Sequence, residues 1–154
     1  MNQIASSHPD PLFLSRNDFI NSFAHVPRVA CDLFIVDRDD RFLLTKRGIE
    51  PDRGKWHLPG SFLLKQESID QCLERIASSE LGFPVSSRDC RLKIVHENIE
   101  HDPRGHIIDV VYKYRLLKDV ILKGWGDSMS MAFFTSPPPD IGFNHEQILK
   151  EILG

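Results

Sequence analysis

The sequence lacks the features that would place it in several large classes of protein. No stretch approaches the roughly eighteen consecutive apolar residues of a membrane span, so we expect no transmembrane helix. The formal net charge of −3 provides no global positive field, so we expect no nucleic-acid partner and no membrane partner. The N-terminal residues contain no basic segment followed by an apolar segment, which argues against a signal peptide and for a cytoplasmic location.

The sequence has three cysteines, an odd number, widely spaced in apolar surroundings: Cys31, Cys72 and Cys90. This pattern predicts reduced thiols in the core and argues against a disulfide framework or a zinc site. The 154 residues, 41% of them hydrophobic, are enough for one domain with a real core. We expect a flexible N-terminal lead-in over 1–11 and a single domain over 12–154.

Hydrophobic periodicity predicts alternating helices and strands. A first helix is expected from the cap at Ser15 to about His25. A second helix is expected from the capping box of Ser68 and Gln71 to the stop at Gly82. A last helix is expected at 144–153, and strands are expected at 29–37, 41–47, 91–99, 106–117 and 131–134, the first two as a hairpin. This order indicates an α/β (α+β) sandwich in one domain.

One acidic residue lies where a surface helix would not place it. Ile69, Leu73 and Ile76 define an apolar stripe on the second helix, and Glu80, eleven residues after Ile69, falls inside that stripe. A carboxylate that faces the core is costly unless it is paired or binds a cation. Either Glu80 reaches water from a frayed last turn, or it binds a metal ion. The Leu-Pro-Gly-Ser turn at 58–61 favours the metal, because a backbone carbonyl there can supply a second oxygen ligand of the kind that suits Mg²⁺.

Segment 60–83 resembles the Nudix box, in which a glycine, five residues, a glutamate and seven residues precede Arg-Glu-x-x-Glu-Glu-x-Gly and an apolar residue. The matching positions are Gly60, Glu67, Arg75, Glu80, Gly82 and Phe83. The resemblance implies a Nudix-type α/β/α sandwich with a mixed sheet. It also implies a Nudix hydrolase that uses Mg²⁺, or Mn²⁺ in its place, with Glu67 and Arg75 tying the loop to the helix.

Three positions depart from the box. Ser61 replaces a glycine, Ile76 replaces the glutamate after the arginine, and Ser79 replaces the first of the paired glutamates. One helix carboxylate cannot gather several divalent ions without strong repulsion between them, but a single ion can still stabilise a departing diphosphate. In these losses the chain resembles the GDP-mannose mannosyl hydrolases, a Nudix branch that cleaves the sugar C–O bond. The resemblance implies release of a sugar and a nucleoside diphosphate and, by analogy, a homodimer.

The resemblance to this branch also implies roles outside the box. The residues expected to hold the metal are Gly60, through its carbonyl, Glu80 and Asp127. The expected catalytic residues are Arg47, Glu80 and Asp127. Asp32 is expected to bind the nucleotide and Arg47 the leaving diphosphate, although Arg47 also fits a solvated strand end. Trp125, in a glycine-flanked loop, either stacks on the substrate's base or fills the core.

The general base of the branch has no counterpart in this sequence. The branch carries Gln-His in the loop before the last strand, and the equivalent positions here are about Asp127 and Ser128. A serine cannot act as a base near neutral pH, and Phe62 stands where the branch has an arginine. The alternative bases are Glu97, Glu100, His101, Asp102 and His106. Four histidines have no constellation around them and are interpreted as structural or exposed: His8, His25, His57 and His145.

Three functions stay open, each with a small-molecule nucleotide as the partner. The first is hydrolysis of a nucleotide sugar such as GDP-mannose. The second is non-catalytic binding of a nucleotide sugar or ADP-ribose, which the missing acids and base favour. The third is ordinary Nudix pyrophosphatase activity on an ADP-ribose-like substrate, with Glu67, Glu97 or Glu100 completing the metal cluster. Segment 102–112 resembles a turn and strand of Nudix ADP-ribose pyrophosphatases and ADP-ribose-binding regulators, but Asp-Pro-Arg-Gly is also a good β-turn, and we prefer that interpretation of it.

Overall fold

The structure is a computed structural model that describes residues 13–154, so the lead-in expected over 1–11 lies outside the described residues. Helices and strands follow in the order α1 (Arg16–Ser22), β1 (Arg28–Val36), β2 (Phe42–Arg47), β3 (Trp56–His57), β4 (Gly60–Phe62), α2 (Ile69–Ile76), β5 (Arg91–Asn98), β6 (Ile107–Arg115), β7 (Ser128–Phe134) and α3 (His145–Leu153). A π-helical turn (Ala77–Leu81) continues α2, and a 3₁₀ turn (Ser87–Asp89) precedes β5. None of the helices within 13–154 is long and apolar enough to cross a bilayer.

All seven strands form one mixed sheet with β1 near its centre. β1 pairs in parallel with β6 along its whole length, from Arg28 opposite Ile107 to Val36 opposite Arg115. On its other side β1 pairs antiparallel with β4 and, next to the turn, with β2, where Val36 lies opposite Phe42. The predicted hairpin of β1 and β2 therefore meets only near its turn, because β4 lies beside the first half of β1. The predicted α/β (α+β) fold with a mixed sheet is confirmed.

Two hydrophobic cores lie on the two faces of the sheet. The core under α2 includes Cys31, Leu33, Ile35, Leu43, Leu73 and Ile76. The core under α3 includes Phe34, Val36, Leu44, Val111, Ile148 and Leu149. Successive residues of β1 thus point alternately towards α2 and α3, which explains why this strand is an almost continuous apolar run. Asp32, two residues before Phe34, points to the same face of the sheet and therefore lies on the α3 side. The three free, buried cysteines belong to the α2 core.

Helix α2 begins as predicted and ends differently. The Ser68 hydroxyl accepts the Gln71 N–H (3.1 Å) and the Gln71 side chain accepts the Ser68 N–H (2.9 Å), which confirms the predicted capping box. After Ile76 the chain widens into the π-helical turn, which closes where Gly82 donates its N–H to the Ala77 carbonyl (3.1 Å). Gly82 has a φ of 70°, a left-handed conformation that glycine adopts without steric cost.

The π-helical turn changes the direction of Glu80. Ser78 and Ser79 donate their hydroxyls to the Arg75 carbonyl (3.0 and 2.8 Å), and such bonds compete with the main-chain pattern of an α-helix. A regular α-helix would carry Glu80 along the buried line of Ile76, whereas the wider turn brings its carboxylate to the start of β4. The prediction of an uninterrupted α-helix is therefore wrong in this last turn.

A bidentate ion pair fixes the loop before α2 against the helix. Arg75 Nε and Nη2 donate to the two carboxylate oxygens of Glu67 (2.6 and 3.0 Å). Arg75 also donates to the Ser61 hydroxyl and the Phe62 carbonyl (both 2.9 Å), and Glu67 accepts the Leu64 N–H (2.9 Å). Burial raises the pKa of Glu67, but the hydrogen bonds from Arg75 and Leu64 outweigh it and hold this pKa below its ordinary value. The pair thus keeps β4 and the following loop in place.

Replacing Arg75 by methionine is expected to lower the free energy of unfolding by about 2–3 kcal/mol, because the largely buried Glu67 carboxylate loses its charged partner. The measurement is urea unfolding at pH 7. Lys150→Met is the matched control. It removes one side of an exposed ion pair with Glu146 and should change the free energy of unfolding by less than about 0.5 kcal/mol. Equal effects of the two substitutions would contradict the role assigned to Arg75.

Candidate active site

A cleft of about 470 Å³ opens where β1, β4 and β6 meet the start of α3, a size that suits a small-molecule ligand. Acidic residues in its lining are Asp32, Glu50, Glu80, Asp102, Asp109 and Asp127. Arginines in its lining are Arg16, Arg47 and Arg104. The lining also includes His57, His145, Phe62 and Phe143. A cleft with clustered charges of both signs fits a ligand that combines an anionic group with a bound cation.

Glu80 lies half-buried against the backbone of β4. The Gly60 N–H donates to Glu80 Oε2 (3.2 Å). The pKa of Glu80 is raised to about 7, mainly by burial and also by the neighbouring Asp127, against the Gly60 hydrogen bond and the charge of Arg47, which lower it. A carboxylate in this environment is stabilised by a cation, and the oxygen donors of Glu80 and Asp127 fit Mg²⁺ or Mn²⁺. Gly60 was expected to contribute its carbonyl, and the contact seen here is through its N–H.

Asp127 reaches the same side of the cleft from the loop before β7. Its backbone carbonyl accepts the Gly48 N–H (2.7 Å), which anchors the loop to the end of β2. Gly126 lies so close to the π-helical turn that a Cβ there would be 2.3 Å from the Ser79 carbonyl oxygen. The glycine therefore allows the loop to pack on this turn, and the structure brings together the two carboxylates that the sequence assigned to the metal.

Two guanidinium groups lie over one aromatic ring in the cleft. The guanidinium carbons of Arg47 and Arg104 are 5.0 and 4.4 Å from the ring centre of Phe143. Arg47 Nε donates to the Pro51 carbonyl (2.9 Å), and Arg104 forms a bidentate ion pair with the buried Asp102 (2.9 and 2.8 Å). Burial, and then the charge of Arg104, lower the pKa of Arg47. Two positive groups held this close together favour an anionic ligand such as a diphosphate.

Arg104 was missed as a site residue because the β-turn interpretation of segment 102–112 was preferred. Its signal was the similarity of that segment to ADP-ribose-related Nudix proteins. Asp102, one of the alternative bases, also lies in the cleft, but its carboxylate is engaged by Arg104. Glu100 and His101 line a separate shallow hollow, and Glu97 is exposed on β5.

Two carboxyl groups are buried side by side in the cleft. Asp32 on β1 and Asp109 on β6 are each 3% exposed. A carboxylate oxygen of each and a ring nitrogen of His145 all lie within 4.8 Å of one another. Burial raises the pKa of Asp32 well above its usual range and that of Asp109 to about 6. Asp32 was predicted to bind the substrate. Asp109 was missed, although it too is a single acid inside an apolar strand.

His57 and His145 are buried beside this pair. The His57 Nδ1 donates to the Leu58 carbonyl (2.7 Å), and the Leu58 N–H donates to His145 Nδ1 (3.0 Å). Burial lowers the pKa of His57 to about 4 and that of His145 well below its usual value, so both rings are neutral near pH 7. The expectation that these histidines are structural agrees with their hydrogen bonds, and the alternative that they are exposed is wrong.

Two further predicted residues are not brought into the cleft. Trp125 is 41% exposed, packs against Gly82 and donates its indole N–H to the Ser78 carbonyl (3.1 Å). It borders another surface hollow with Pro84. Glu67, expected to complete a metal cluster if the chain is a pyrophosphatase, has both carboxylate oxygens engaged by Arg75.

Comparisons with known proteins give a family for this arrangement. The NUDIX domain model matches residues 26–137 of the chain. An ADP-ribose pyrophosphatase of Methanocaldococcus jannaschii is 33% identical over 131 residues, which are 82% of this chain and 73% of the relative.

Solved structures share the fold. The bifunctional NMN adenylyltransferase/ADP ribose pyrophosphatase of Francisella tularensis, solved with AMP and a manganese ion, has a TM-score of 0.71 at 19% identity and covers 89% of this chain. This chain spans only 46% of that bifunctional protein. The NUDIX domain of NrtR from Shewanella oneidensis, solved with ADP ribose, has a TM-score of 0.67 at 17% identity, over 90% of this chain and 96% of that one. At these identities the likeness shows the fold alone.

Gly60→Ala is expected to lower the free energy of unfolding by about 1–3 kcal/mol, because the added methyl group overpacks the contact of β4 with β1. A Cβ at this position would lie 1.9 Å from an Asp32 side-chain oxygen and 2.8 Å from the Cys31 carbonyl oxygen. Urea unfolding measures the loss. The double variant with Asp32→Ala is the control and should recover part of it, because the nearest clash is removed. A single variant as stable as the parent protein would contradict the geometry.

In metal-free buffer, Glu80→Gln is expected to stabilise the protein at pH 8 and to have little effect at pH 4. Burial places the Glu80 pKa at about 7, above its ordinary value of 4.5. The folded state therefore keeps a proton that the unfolded state has lost between these pH values, so the contribution of Glu80 to stability falls as the pH rises from 4.5 to 7. Glutamine removes this cost, about 1–3 kcal/mol at pH 8.

The measurement is thermal unfolding in EDTA at both pH values, with the exposed Glu146→Gln as the matched control. Stabilisation by Glu80→Gln at pH 4 and none at pH 8 would be the opposite pH dependence and would contradict the raised pKa of Glu80.

Proposed function

Because the chain belongs to the NUDIX domain family, we propose that it is a divalent-metal-dependent hydrolase that acts on the diphosphate of an ADP-ribose-like substrate. One observation carries this proposal. A single cleft holds the carboxylates of Glu80 and Asp127 together with the guanidiniums of Arg47 and Arg104. The carboxylates suit a hard cation, and the guanidiniums suit phosphate oxygens.

One set of residues in the cleft would bind the cation, and another set would bind the anionic diphosphate. Glu80 and Asp127, with the adjoining backbone of Gly60, would hold the metal. When bound, a divalent ion neutralises charge on a diphosphate and polarises its oxygens as a Lewis acid. Arg47 and Arg104 donate hydrogen bonds to the phosphate oxygens and orient them, and the ion pair with Asp102 keeps Arg104 in place.

The ADP-ribose class is supported by the relatives rather than by the metal site. The 33% identical protein is an ADP-ribose pyrophosphatase, and two structures with the same fold are named for ADP-ribose pyrophosphatase activity or for bound ADP ribose. None of these three is named for GDP-mannose. The position of Arg104 in the cleft adds weight, because it lies in the segment that resembles ADP-ribose-related Nudix proteins.

A second candidate, cleavage of a sugar C–O bond as in GDP-mannose hydrolysis, is favoured by one observation. Among the departures from the box, Ile76 is fully buried in the α2 core and Ser79 bonds its hydroxyl to the Arg75 carbonyl. Glu80 is then the one acid that the last turn of this helix presents to the cleft. Fewer metal ligands suit an enzyme that activates only the leaving diphosphate.

Product analysis distinguishes these functions. With Mg²⁺ and ADP-ribose we expect AMP and ribose 5-phosphate, since water attacks phosphorus. Loss of activity in EDTA is expected, together with a fall in kcat/KM of at least about 100-fold in Glu80→Gln, because the metal supplies several kcal/mol of transition-state stabilisation. Glu146→Gln, an exposed substitution on α3, serves as the control and should keep full activity.

The other outcomes identify the alternatives. Release of ADP from ADP-ribose, or of GDP and mannose from GDP-mannose, would show that the linkage to the sugar is cleaved instead of the pyrophosphate bond and would overturn the pyrophosphatase proposal. Thermal stabilisation by ADP-ribose without any product would indicate a non-catalytic binder.

A further inference from the structure

Four side-chain atoms within residues 13–154 are buried and have no hydrogen-bond partner: Asp32 Oδ2, His96 Nε2, His106 Nε2 and Asp109 Oδ2. Three of them lie on adjacent strands, since Asp32 is on β1, Asp109 on β6 and His96 directly opposite Asp109 on β5. Each unpaired buried polar group costs roughly 1–3 kcal/mol. Such groups concentrated in one place call for a ligand that pairs them.

Asp32 and Asp109 are held rigidly, and both face the cleft. Asp32 Oδ1 occupies the space left by the absent side chain of Gly60. Asp109 is backed by His96, whose Nδ1 bonds to Glu151 on α3 (3.0 Å). Each acid is only 3% exposed, and each keeps one oxygen without a partner. These two oxygens therefore form a fixed pair of acceptors.

A metal ion does not fit this pair as well as its spacing suggests. His145 is the third group of the cluster, but its Nδ1 already accepts the Leu58 N–H. The proton of the neutral ring must then be on Nε2, which leaves no free nitrogen lone pair for a metal. The positive charge of Arg104 also acts on Asp109. A neutral ligand with hydroxyl groups suits this site better, because a hydroxyl can donate a hydrogen bond to each acceptor and can also accept one from the neighbouring ring N–H.

We infer that Asp32 and Asp109 form a subsite for two neighbouring hydroxyl groups of the substrate's sugar. The free oxygen of each acid accepts one hydroxyl, and the two carboxyl groups approach each other to within 4.8 Å, which suits hydroxyls on adjacent carbons. The inference rests on the proposed function, since it assigns the sugar of the same substrate. In ADP-ribose the diol belongs either to the adenosine or to the terminal ribose, and the chemistry of recognition is the same.

The test is equilibrium binding in EDTA, which needs no turnover. Titration calorimetry compares ADP-ribose with two analogues, one lacking the 2-hydroxyl of the adenosine ribose and one lacking that of the terminal ribose. We expect one analogue to bind about 3- to 100-fold more weakly than ADP-ribose, the range from losing a hydrogen bond to a protonated acid to losing one to a charged carboxylate. The analogue affected identifies which ribose enters the subsite.

Asp109→Asn, which keeps the shape of the side chain, links the effect to the pair. We expect it to weaken ADP-ribose binding by a similar factor and to cause little further loss with the affected analogue, because the two changes remove one interaction. Asp32→Asn should weaken ADP-ribose binding by a similar factor but should show a further loss with the affected analogue, because Asp32 accepts the neighbouring hydroxyl, which the analogue keeps. Glu146→Gln is the control and should leave all three dissociation constants unchanged.

Several results would overturn the inference. Equal binding of the three ligands to the parent protein would do so, as would failure of all three to bind. So would thermal stabilisation by Mn²⁺ alone that disappears in Asp109→Asn, since the pair would then be a cation site. Weaker binding of one analogue without formation of any product from ADP-ribose would support the subsite and contradict the hydrolase proposal. Product formation from all three ligands with equal binding would remove the subsite alone.

Discussion

The close approach of Gly60 to Asp32 is the constraint on which the cleft depends. Only a residue without a side chain lets β4 lie so near β1 at this point. The same glycine presents its N–H to Glu80, so one short strand positions an acid of the sheet and an acid of the π-helical turn. The ion pair of Glu67 and Arg75 then holds that strand. A shift of β4 would remove the contacts of Gly60 with Asp32 and Glu80, and the two carboxylates would no longer be held in their present positions.

Several groups in the cleft are arranged to bind a ligand, and this arrangement lowers the stability of the folded protein. Asp32 and Asp109 are buried with unpaired oxygens, and the pKa of Glu80 is raised because burial disfavours its charge. On the basic side, Arg104 is held by Asp102 and lies with Arg47 over one ring. Unpaired and crowded charges of this kind are tolerated where a ligand relieves them, and the two well-filled cores on either face of the sheet supply the stability that the cleft does not.

Much of the fold followed from the sequence because its strands and capping box carry strong local signals. Glu80 was identified from its place on an apolar helix face, yet the π-helical turn was not foreseen, because a helical wheel assumes a regular helix. Asp109 was missed, and His145 was interpreted as lying outside any constellation, for a different reason. Asp109 is a single acid inside an apolar strand and His145 begins a short helix, but only the parallel pairing of β1 with β6 and the docking of α3 bring them to Asp32. Periodicity reports which face a residue occupies but not which distant residue it meets.

Phe143 lies beneath both Arg47 and Arg104, one residue before the cap of α3. Its backbone and that of Asn144 are left-handed (φ 55° and 64°), which sets the tilt of the ring. Both guanidiniums therefore contact one stiff aromatic ring. The ring of Phe143 thus limits where the two guanidiniums can lie. A solitary phosphate can satisfy one guanidinium, whereas two linked phosphates can engage both, so under the proposed function two arginines at one ring would favour a diphosphate over a single phosphate.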